Sequence, residues 1–255
     1  MNDAPRAGLE FDYVLVGGGL QSALIVLALK STRPYARIAV VVRNERLGGK
    51  HSGCFHGGDL SAAAREWITP LVARSWPHYE VRFHGTVREI PGAYSAIRSE
   101  DLHDVVASAL DEPDCALFCN AEATAVEPNQ VRLADGQTLR ARHVVDARGM
   151  PRGEVEDCGF QKFVGHEIEF GEPHGVTDPV LMDATVDQTD GYRFFYLLPF
   201  SETRLLVEDT RFTSGDDLDP DEYREGIARY VETSGWGPGE LCREEQGVLP
   251  MPWAG

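Results

Sequence analysis

The chain has 255 residues, 24 of them Lys or Arg and 41 Asp or Glu, which gives a formal net charge of −17. Apolar residues make up 42% and charged residues 25%, a globular balance that excludes general disorder and suits one large domain or two modest ones. No run approaches the ~18 apolar residues of a membrane-spanning helix, and so acidic a surface excludes nucleic acid as a general partner and disfavours electrostatic docking on anionic lipid.

The cysteines and the N-terminus both favour a cytoplasmic protein. The five cysteines are scattered, and their odd number fits a reducing compartment better than a disulfide framework. Cys115 and Cys119 lie four residues apart without a histidine or a second pair at zinc spacing, so we predict core thiols and no metal site. The first ten residues show no apolar run after a basic stretch, so we expect no signal peptide.

The opening of the chain predicts a βαβ unit. Residues 11–16 form a short β-rich run that leads directly into three consecutive glycines. A helical pattern follows, and residues 38–42 are a fully apolar run typical of a buried parallel strand. The inward face of the helix is predicted to consist of Leu20, Ala23, Leu24, Leu27 and Ala28. Strand, glycine turn, helix and strand within about 30 residues make a βαβ unit.

The glycine turn predicts a phosphate site for a dinucleotide. Gly17 permits the tight turn, Gly18 continues it, and Gly19 lets the backbone approach a pyrophosphate beside the free N–H groups of the helix start. Ser22 stands where a third glycine is usual, and Val42 stands where an acidic residue would hold the ribose. A purely structural βαβ unit is the alternative.

Two later loops are predicted to approach the same cofactor. Gly48, Gly49 and His51 follow the second strand, where a chain would turn back along an extended cofactor. A β-meander is predicted over residues 131–139, and the strand at 144–145 runs into a small-residue loop with Asp146 and Gly149. A meander before such a loop is typical of two-dinucleotide flavoproteins.

The remaining elements change in character along the chain. Ser99 is predicted to cap a helix, which is followed by a strand at 116–118. The inward residues of that helix are predicted to be Leu102, Val105, Val106, Ala109 and Leu110. From residue 160 onward strands dominate, at 164–170, 192–198 and 205–210. A last helix is predicted with Asp219 as its cap and Pro220 at its first position.

Eight stretches resemble the bacterial lycopene β-cyclase family, flavoproteins that close the ends of linear carotenes. Two strings are specific, Met-Asp-Ala-Thr-Val-Asp-Gln at 182–188 and Leu-Val-Glu-Asp-Thr within 205–210. The others lie at 14–24, 47–51, 146–149, 160–165, 191–200 and 244–250, in family order. Family members continue past residue 255, so a chain truncated at its C-terminus is expected.

The resemblance implies an α/β fold, with a Rossmann-like FAD-binding domain of the two-dinucleotide flavoprotein type and a β-rich substrate or cap domain. We expect the first domain at 1–60, 95–160 and 236–255, and the cap at 61–94 and 161–235. Residues 61–94 are an expected excursion from the sheet. Ser22 and Val42 depart from the family pattern in the cofactor half.

The resemblance also implies a reaction, the cyclisation of lycopene or another linear carotene to γ- or β-carotene without net redox change. Reduced FAD is the implied cofactor, with NAD(P)H as its reductant, and peripheral membrane association is expected. Protonation of a terminal double bond would create a tertiary carbocation, an internal double bond would attack it, and proton loss would leave the β-ring. Such chemistry needs a strong acid and a dry cavity.

Glu208 is the predicted catalytic acid, because it follows three apolar residues within the string that matches the family's acidic motif. Alternation along the strand places Asp209 on the opposite face, so these two are not predicted to form a carboxylate pair. Phe195 and Tyr196 are predicted to contact substrate as a cation-tolerant wall, with core packing as the alternative. A redox flavoprotein, such as a monooxygenase or a polyene reductase, and an inactive fragment remain as alternative functions.

Overall fold

The computed structural model describes residues 10–49, 52–149 and 158–252 and divides them into two units. The first unit contains residues 10–49, 60–72 and 97–149, and the second contains residues 52–59, 73–96 and 158–252. The expected boundaries differ from these units by more than three residues at three places. Residues 61–72 belong to the first unit, whereas 52–59 and 236–252 belong to the second, because each segment packs or pairs there rather than beside its sequence neighbours.

The structure contains fourteen strands and four α-helices in the described ranges. The strands are β1 Glu10–Val16, β2 Ile38–Val41, β3 Gly53–His56, β4 Val72–Phe83, β5 Thr86–Ile97, β6 Ala116–Phe118, β7 Ala123–Glu127, β8 Gln130–Leu133, β9 Thr138–Asp146, β10 Cys158–Phe170, β11 Val180–Asp183, β12 Tyr192–Pro199, β13 Arg204–Thr213 and β14 Gly239–Pro252. The helices are α1 Leu20–Thr32, α2 Ala62–Ile68, α3 Leu102–Ala109 and α4 Pro220–Thr233. None of the described helices has the length and apolar character needed to cross a bilayer.

The first unit is built on a six-stranded sheet in the order β6-β2-β1-β9-β8-β7. The β1 strand lies inside this sheet, with β2 and β9 parallel on its two sides. The predicted βαβ unit is therefore confirmed. The meander strand predicted near 138 and the strand predicted at 144–145 are one strand, β9, which pairs antiparallel with β8 and then parallel with β1.

Two helix predictions in this unit need correction. The buried face of α1 contains Ser22, Ala23, Val26 and Leu27, whereas Leu24 and Ala28 are only half-buried. This helix is apolar on nearly all sides, so its sequence pattern does not identify the side that faces the sheet. Ser99 is not a helix cap, because it starts a 3-10 turn, Ser99–Asp101, that precedes α3.

The second unit is built on an eight-stranded sheet in the order β14-β10-β13-β12-β11-β4-β5-β3. One face packs against α4, where Phe195, Val207 and Tyr223 belong to one core. The opposite face carries a second core around Trp76, Tyr94 and Leu206. The start of α4 is as predicted, because the Asp219 carboxylate accepts the Asp221 N–H at 3.1 Å and Pro220 occupies the first turn.

Candidate functional site

The loops at the carboxyl ends of β1, β2 and β9 meet closely in the first unit. Gly17 has φ +126°, and a Cβ added to it would lie 2.3 Å from the Ala147 carbonyl oxygen. Its N–H donates to the Val41 carbonyl at 2.9 Å, and the Ala147 N–H donates to the Val16 carbonyl at 2.7 Å. Only glycine fits this turn, because other residues disfavour the φ and would clash with the neighbouring loop.

The second glycine pair joins the same loop cluster. The Gly48 N–H donates to the Gly18 carbonyl at 2.7 Å, and a Cβ on Gly48 would lie 2.1 Å from the Ser99 carbonyl oxygen. A Cβ on Gly18 would lie 2.6 Å from a methyl of Val42, so Val42 fills the space beneath the turn. Gly49 follows in an exposed position. His51, also predicted to contact cofactor, lies outside the described residues.

The N-terminus of α1 is open to an anion. Gly19 is its N-cap, makes no side-chain capping bond, and has no heavy atom within 4 Å of its would-be Cβ. The first N–H groups of a helix have no partners within the helix and carry the positive end of its dipole. Ser22 is fully buried on the sheet side, which is consistent with a small residue at the close contact of helix and strand.

The third predicted cofactor loop ends β9. Asp146 is exposed and paired with Arg148, whose Nη2 lies 2.6 Å from Oδ2, and this hydrogen-bonded pairing lowers the pKa of the carboxyl. Gly149 follows with φ +86° and open space around it. No carboxylate stands at Val42, the position usual for the ribose contact, and the nearby Glu45 is exposed.

Glu208 lies in the middle of the second unit's sheet, on β13 between β12 and β10. Its side chain is buried, and its Oε1 accepts a hydrogen bond from the Thr210 hydroxyl at 2.6 Å. Burial raises the pKa of Glu208 well above its usual range, and the nearby carboxyl of Glu245 raises it further. Glu208 is therefore a buried carboxyl that keeps its proton at pH values at which an exposed glutamate has lost it.

Tyr196 lies opposite Glu208 on β12 and shares its face of the sheet. The Tyr196 hydroxyl donates to the Cys54 sulfur at 3.0 Å and lies 2.8 Å from the Tyr94 hydroxyl. Burial raises the pKa of the Cys54 thiol to about 11. The Tyr94 ring packs 4.9 Å from His56 and 5.8 Å from Tyr79, measured between centroids. This face therefore combines buried aromatic rings with a protonated acid.

Asp209 faces the other way, as predicted from alternation. It is fully buried, with Arg193 Nη2 at 2.7 Å and Arg211 Nη2 at 3.2 Å from its Oδ2. A Cβ on Gly226 of α4 would lie 2.7 Å from the same oxygen, so the helix passes directly over the carboxylate. Asp209 is a structural ion-pair partner beneath α4.

Phe195 and Tyr196 do not share a surface, which corrects the expectation that both contact substrate. Phe195 belongs to the core beneath α4, where its ring stacks on Tyr230 at 4.1 Å between centroids and 11° between planes. Neighbouring residues of a strand point to opposite faces. Of the two aromatic residues, only Tyr196 lies on the face of Glu208.

Sequence reasoning did not identify the second buried carboxyl beside Glu208, that of Glu245. Glu245 of β14 is 2% exposed, and the register places Gly165 of β10 opposite both Glu208 and Glu245. The two side chains flank this glycine, and the Glu245 carboxyl raises the pKa of Glu208. Glu245 belongs to one of the stretches that carry the family resemblance, but the pairing of β14 with β10 is a long-range property that periodicity does not reveal.

Comparison with known proteins gives a family match over almost the whole chain. The family model described as "Lycopene cyclase protein" matches residues 12–255. Lycopene beta-cyclase of Pantoea ananas is 40% identical over 246 residues, and that of Paracoccus sp. is 38% identical over the same length. These alignments cover 96% of this chain but only 64% and 62% of the relatives.

Solved structures resemble the chain in fold. A probable FAD-dependent monooxygenase from Pseudomonas aeruginosa has a TM-score of 0.65 at 19% identity, covering 94% of this chain and 74% of that one. A geranylgeranyl bacteriochlorophyll reductase-like protein from Thermoplasma acidophilum has a TM-score of 0.66 at 15% identity, covering 94% and 66%. The expected α/β fold, a Rossmann-like FAD-type domain with a β-rich domain, is confirmed. On the family match and the 38–40% identities, the chain belongs to the lycopene cyclase family.

Proposed function

We propose that the whole protein is a lycopene β-cyclase that converts linear carotene ends to β-rings without net redox change. The observation that carries this proposal is the buried Glu208, whose pKa is raised by burial, on an aromatic face of the sheet in a chain of the lycopene cyclase family. The bacterial relatives are named lycopene beta-cyclases, and the chain spans about 62–64% of their length. The substrate is proposed to be lycopene or another linear carotene.

Glu208 is proposed to act as the general acid. Its raised pKa keeps a proton available, and delivery of that proton to a terminal double bond forms a tertiary carbocation. The ionised carboxylate left behind then carries the negative charge that stabilises the cation. Tyr196 and Tyr94 present aromatic rings nearby, which tolerate positive charge and exclude water. Transfer of a proton from the cyclised cation back to the Glu208 carboxylate completes the ring and restores the acid.

The first unit is proposed to hold FAD. Gly17, Gly18 and Gly19 form a turn without side chains, and the uncapped start of α1 offers N–H groups to a pyrophosphate. Gly48, Gly49, Asp146 and Gly149 border the same loops. Reduced FAD, formed with NAD(P)H, would supply an electron-rich ring that stabilises positive charge or serves as a proton source.

We also propose that these 255 residues alone hold FAD weakly and do not cyclise carotene by themselves. The alignments leave more than a third of each bacterial relative unmatched, and Val42 offers no carboxylate to the ribose. Titration of FAD into the purified 255-residue chain, followed by flavin fluorescence, tests this directly. Low-micromolar or tighter binding would contradict it.

Peripheral contact with a membrane is proposed because a linear carotene dissolves in an apolar phase rather than in water. Leu249 and Met251 on β14 are exposed by 47% and 42%, and such apolar side chains can insert into a lipid surface. The net charge of −17, in contrast, does not favour electrostatic binding to anionic lipid. Flotation with neutral phosphatidylcholine vesicles should recover the protein in the lipid fraction. Replacement of both residues by aspartate should leave it in the aqueous fraction.

The function is tested by expressing the complete reading frame in cells that accumulate lycopene. Pigment extraction should show γ- or β-carotene, and the purified, reduced enzyme should cyclise many equivalents of lycopene without oxidising a matching amount of NAD(P)H. Oxidation of NAD(P)H in step with product would instead support a redox flavoprotein. Unchanged lycopene beside soluble, flavin-containing protein would contradict the proposal.

A further inference from the structure

Three neighbouring strands place two buried carboxyls on either side of a glycine. Gly165 of β10 is opposite Glu208 of β13 and, on its other side, opposite Glu245 of β14. A Cβ on Gly165 would lie 3.0 Å from the Glu245 Cγ and 3.3 Å from the Glu208 Cβ. Because Gly165 has no side chain, the side chains of Glu208 and Glu245 lie side by side over β10, and the Glu245 carboxyl raises the pKa of Glu208.

Several hydrogen-bond donors converge on the Glu245 carboxyl. Its Oε2 accepts the Ser52 N–H at 2.8 Å, the Ser52 hydroxyl at 3.1 Å and Arg243 Nη1 at 2.7 Å. Arg243 is itself held by Glu167, to whose Oε2 its Nε donates at 3.0 Å. Three donors on one oxygen, one of them a guanidinium, stabilise negative charge on Glu245 and leave its other oxygen available to Glu208.

Glu208 has no such charged donor among its described contacts. Its neighbours are Thr210, whose hydroxyl donates to it, Tyr196 on the adjacent strand β12, and the Glu245 carboxyl, while Asp209 points to the other face. Two adjacent buried carboxyls cannot both be ionised without strong repulsion, so the pair retains one proton. The remaining titratable or charged groups that interact with Glu208 or face Glu245 are Cys54, Tyr94 and Arg243.

We propose that Glu245 is a positioning residue that holds the pair's single proton on Glu208, through a carboxyl–carboxyl hydrogen bond over Gly165. This inference rests on the proposed cyclase function, because that function supplies the substrate double bond that receives the proton. Glu208 gives this proton to the substrate double bond, and the O–H bond that breaks leaves its electron pair on Glu208. Glu245 keeps its charge throughout, so Glu208 is the member of the pair that donates.

The matched test compares Glu245→Gln with Glu244→Gln in the complete protein. Glu244 is the preceding residue of β14, but it lies on the opposite face, bound to Arg224 and 3.0 Å from His166. Glu245→Gln removes the negative charge beside Glu208 and should move the alkaline limb of the cyclisation rate to lower pH by about one unit or more. Glu244→Gln should leave that limb in place. An unmoved limb in Glu245→Gln would overturn the proposal.

A second readout needs neither lycopene nor flavin. Infrared difference spectra of the protein near neutral pH should contain the C=O stretch of one buried carboxylic acid, which disappears in Glu208→Gln. In Glu245→Gln, or in Gly165→Ala if that variant folds better, the same band should titrate at lower pH. Survival of the band in Glu208→Gln would place the proton on Glu245 and contradict the inference. If the band behaves as expected in these variants but the complete protein does not cyclise lycopene, the proposed function is overturned and the inference about the proton is not.

Discussion

Two consecutive carboxylates on β13, Glu208 and Asp209, have opposite surroundings. Glu208 is buried beside a second carboxyl, and both burial and that carboxyl raise its pKa, while the hydrogen bond from the Thr210 hydroxyl acts in the opposite direction. Asp209 forms ion pairs with two guanidinium groups, those of Arg193 and Arg211. Strand alternation alone separates these environments, so a conservative substitution at each position should have a different kind of effect.

Asp209→Asn should lower stability rather than interrupt the chemistry. The substitution leaves Arg193 and Arg211 buried beneath α4 without their shared negative partner, a change that typically costs about 3–5 kcal/mol. Denaturant unfolding measures the loss. Asp104→Asn is the control, because Asp104 forms an exposed pair with Arg46 and should cost about 1 kcal/mol or less. Equal effects of the two variants would contradict the structural role of Asp209.

Glu208→Gln should change how stability depends on pH. The folded protein holds a proton on Glu208 at pH values where the unfolded chain has released it, because burial raises the folded-state pKa. Folding therefore loses stability as the pH rises from the ordinary glutamate pKa toward the raised one, by up to about 1.4 kcal/mol per pH unit.

Glutamine has no such proton, so the variant should gain stability relative to the parent between about pH 5 and about pH 8. Chemical denaturation at both pH values, with the difference taken between variant and parent, measures the gain. A difference that does not change with pH would show that Glu208 is ionised in the folded protein.

At the scale of elements, α4 lies closely over the ion pairs of β12 and β13. An exposed glycine inside a helix normally costs about 0.5–1 kcal/mol relative to alanine. Gly226 is different, because a Cβ there would lie 2.5 Å from Arg193 Nη2 and 2.7 Å from Asp209 Oδ2. Gly226→Ala should therefore destabilise the protein by about 1–3 kcal/mol. Glu225→Ala, at an exposed neighbouring position, should change stability little.

The turn before α1 gives a test of cofactor binding that is separate from folding. Gly19 has φ −87°, which alanine adopts without strain, and its would-be Cβ meets nothing within 4 Å. In the complete protein, Gly19→Ala should thus unfold at the parent's temperature but bind FAD at least about tenfold more weakly, an effect of ~1.4 kcal/mol. Gly58→Ala, also in open space, is the control. Unchanged FAD affinity in Gly19→Ala would place the pyrophosphate elsewhere.

Local patterns predicted the elements well where one short segment determined the outcome. The β1 turn, the parallel pairing with β2 and the Asp219 cap of α4 follow from glycine geometry, apolar runs and capping chemistry within about 30 residues. The face of α1 was predicted only in part, since Ala23 and Leu27 are buried but Leu24 and Ala28 are half-buried. A helix that is apolar on nearly all sides has no sequence pattern that identifies its buried face. The two pieces of β9 were not recognised as one strand, because its partner changes along its length.

At the scale of the whole molecule, the candidate site depends on strand pairings that composition and periodicity do not contain. The resemblance identified Glu208 and alternation separated it from Asp209, but Glu245 lies 37 residues later and meets Glu208 only because β10 pairs with both β13 and β14. The division into units also depends on long-range pairing that the sequence pattern does not reveal. Residues 236–252 return to the second unit's sheet as β14, where they supply Arg243 and Glu245.

The central claim is that Glu208 delivers the proton that starts cyclisation. The most direct measurement is the rate of carotene cyclisation by Glu208→Gln, expressed as the complete protein in lycopene-producing cells and then purified with its flavin content checked. Glutamine preserves the size of the side chain but cannot act as the acid or become an anion, so the rate should fall by about 10²–10⁴ while folding and flavin content stay near the parent's. The cells should retain linear carotene. Substantial β-carotene from Glu208→Gln would contradict the account.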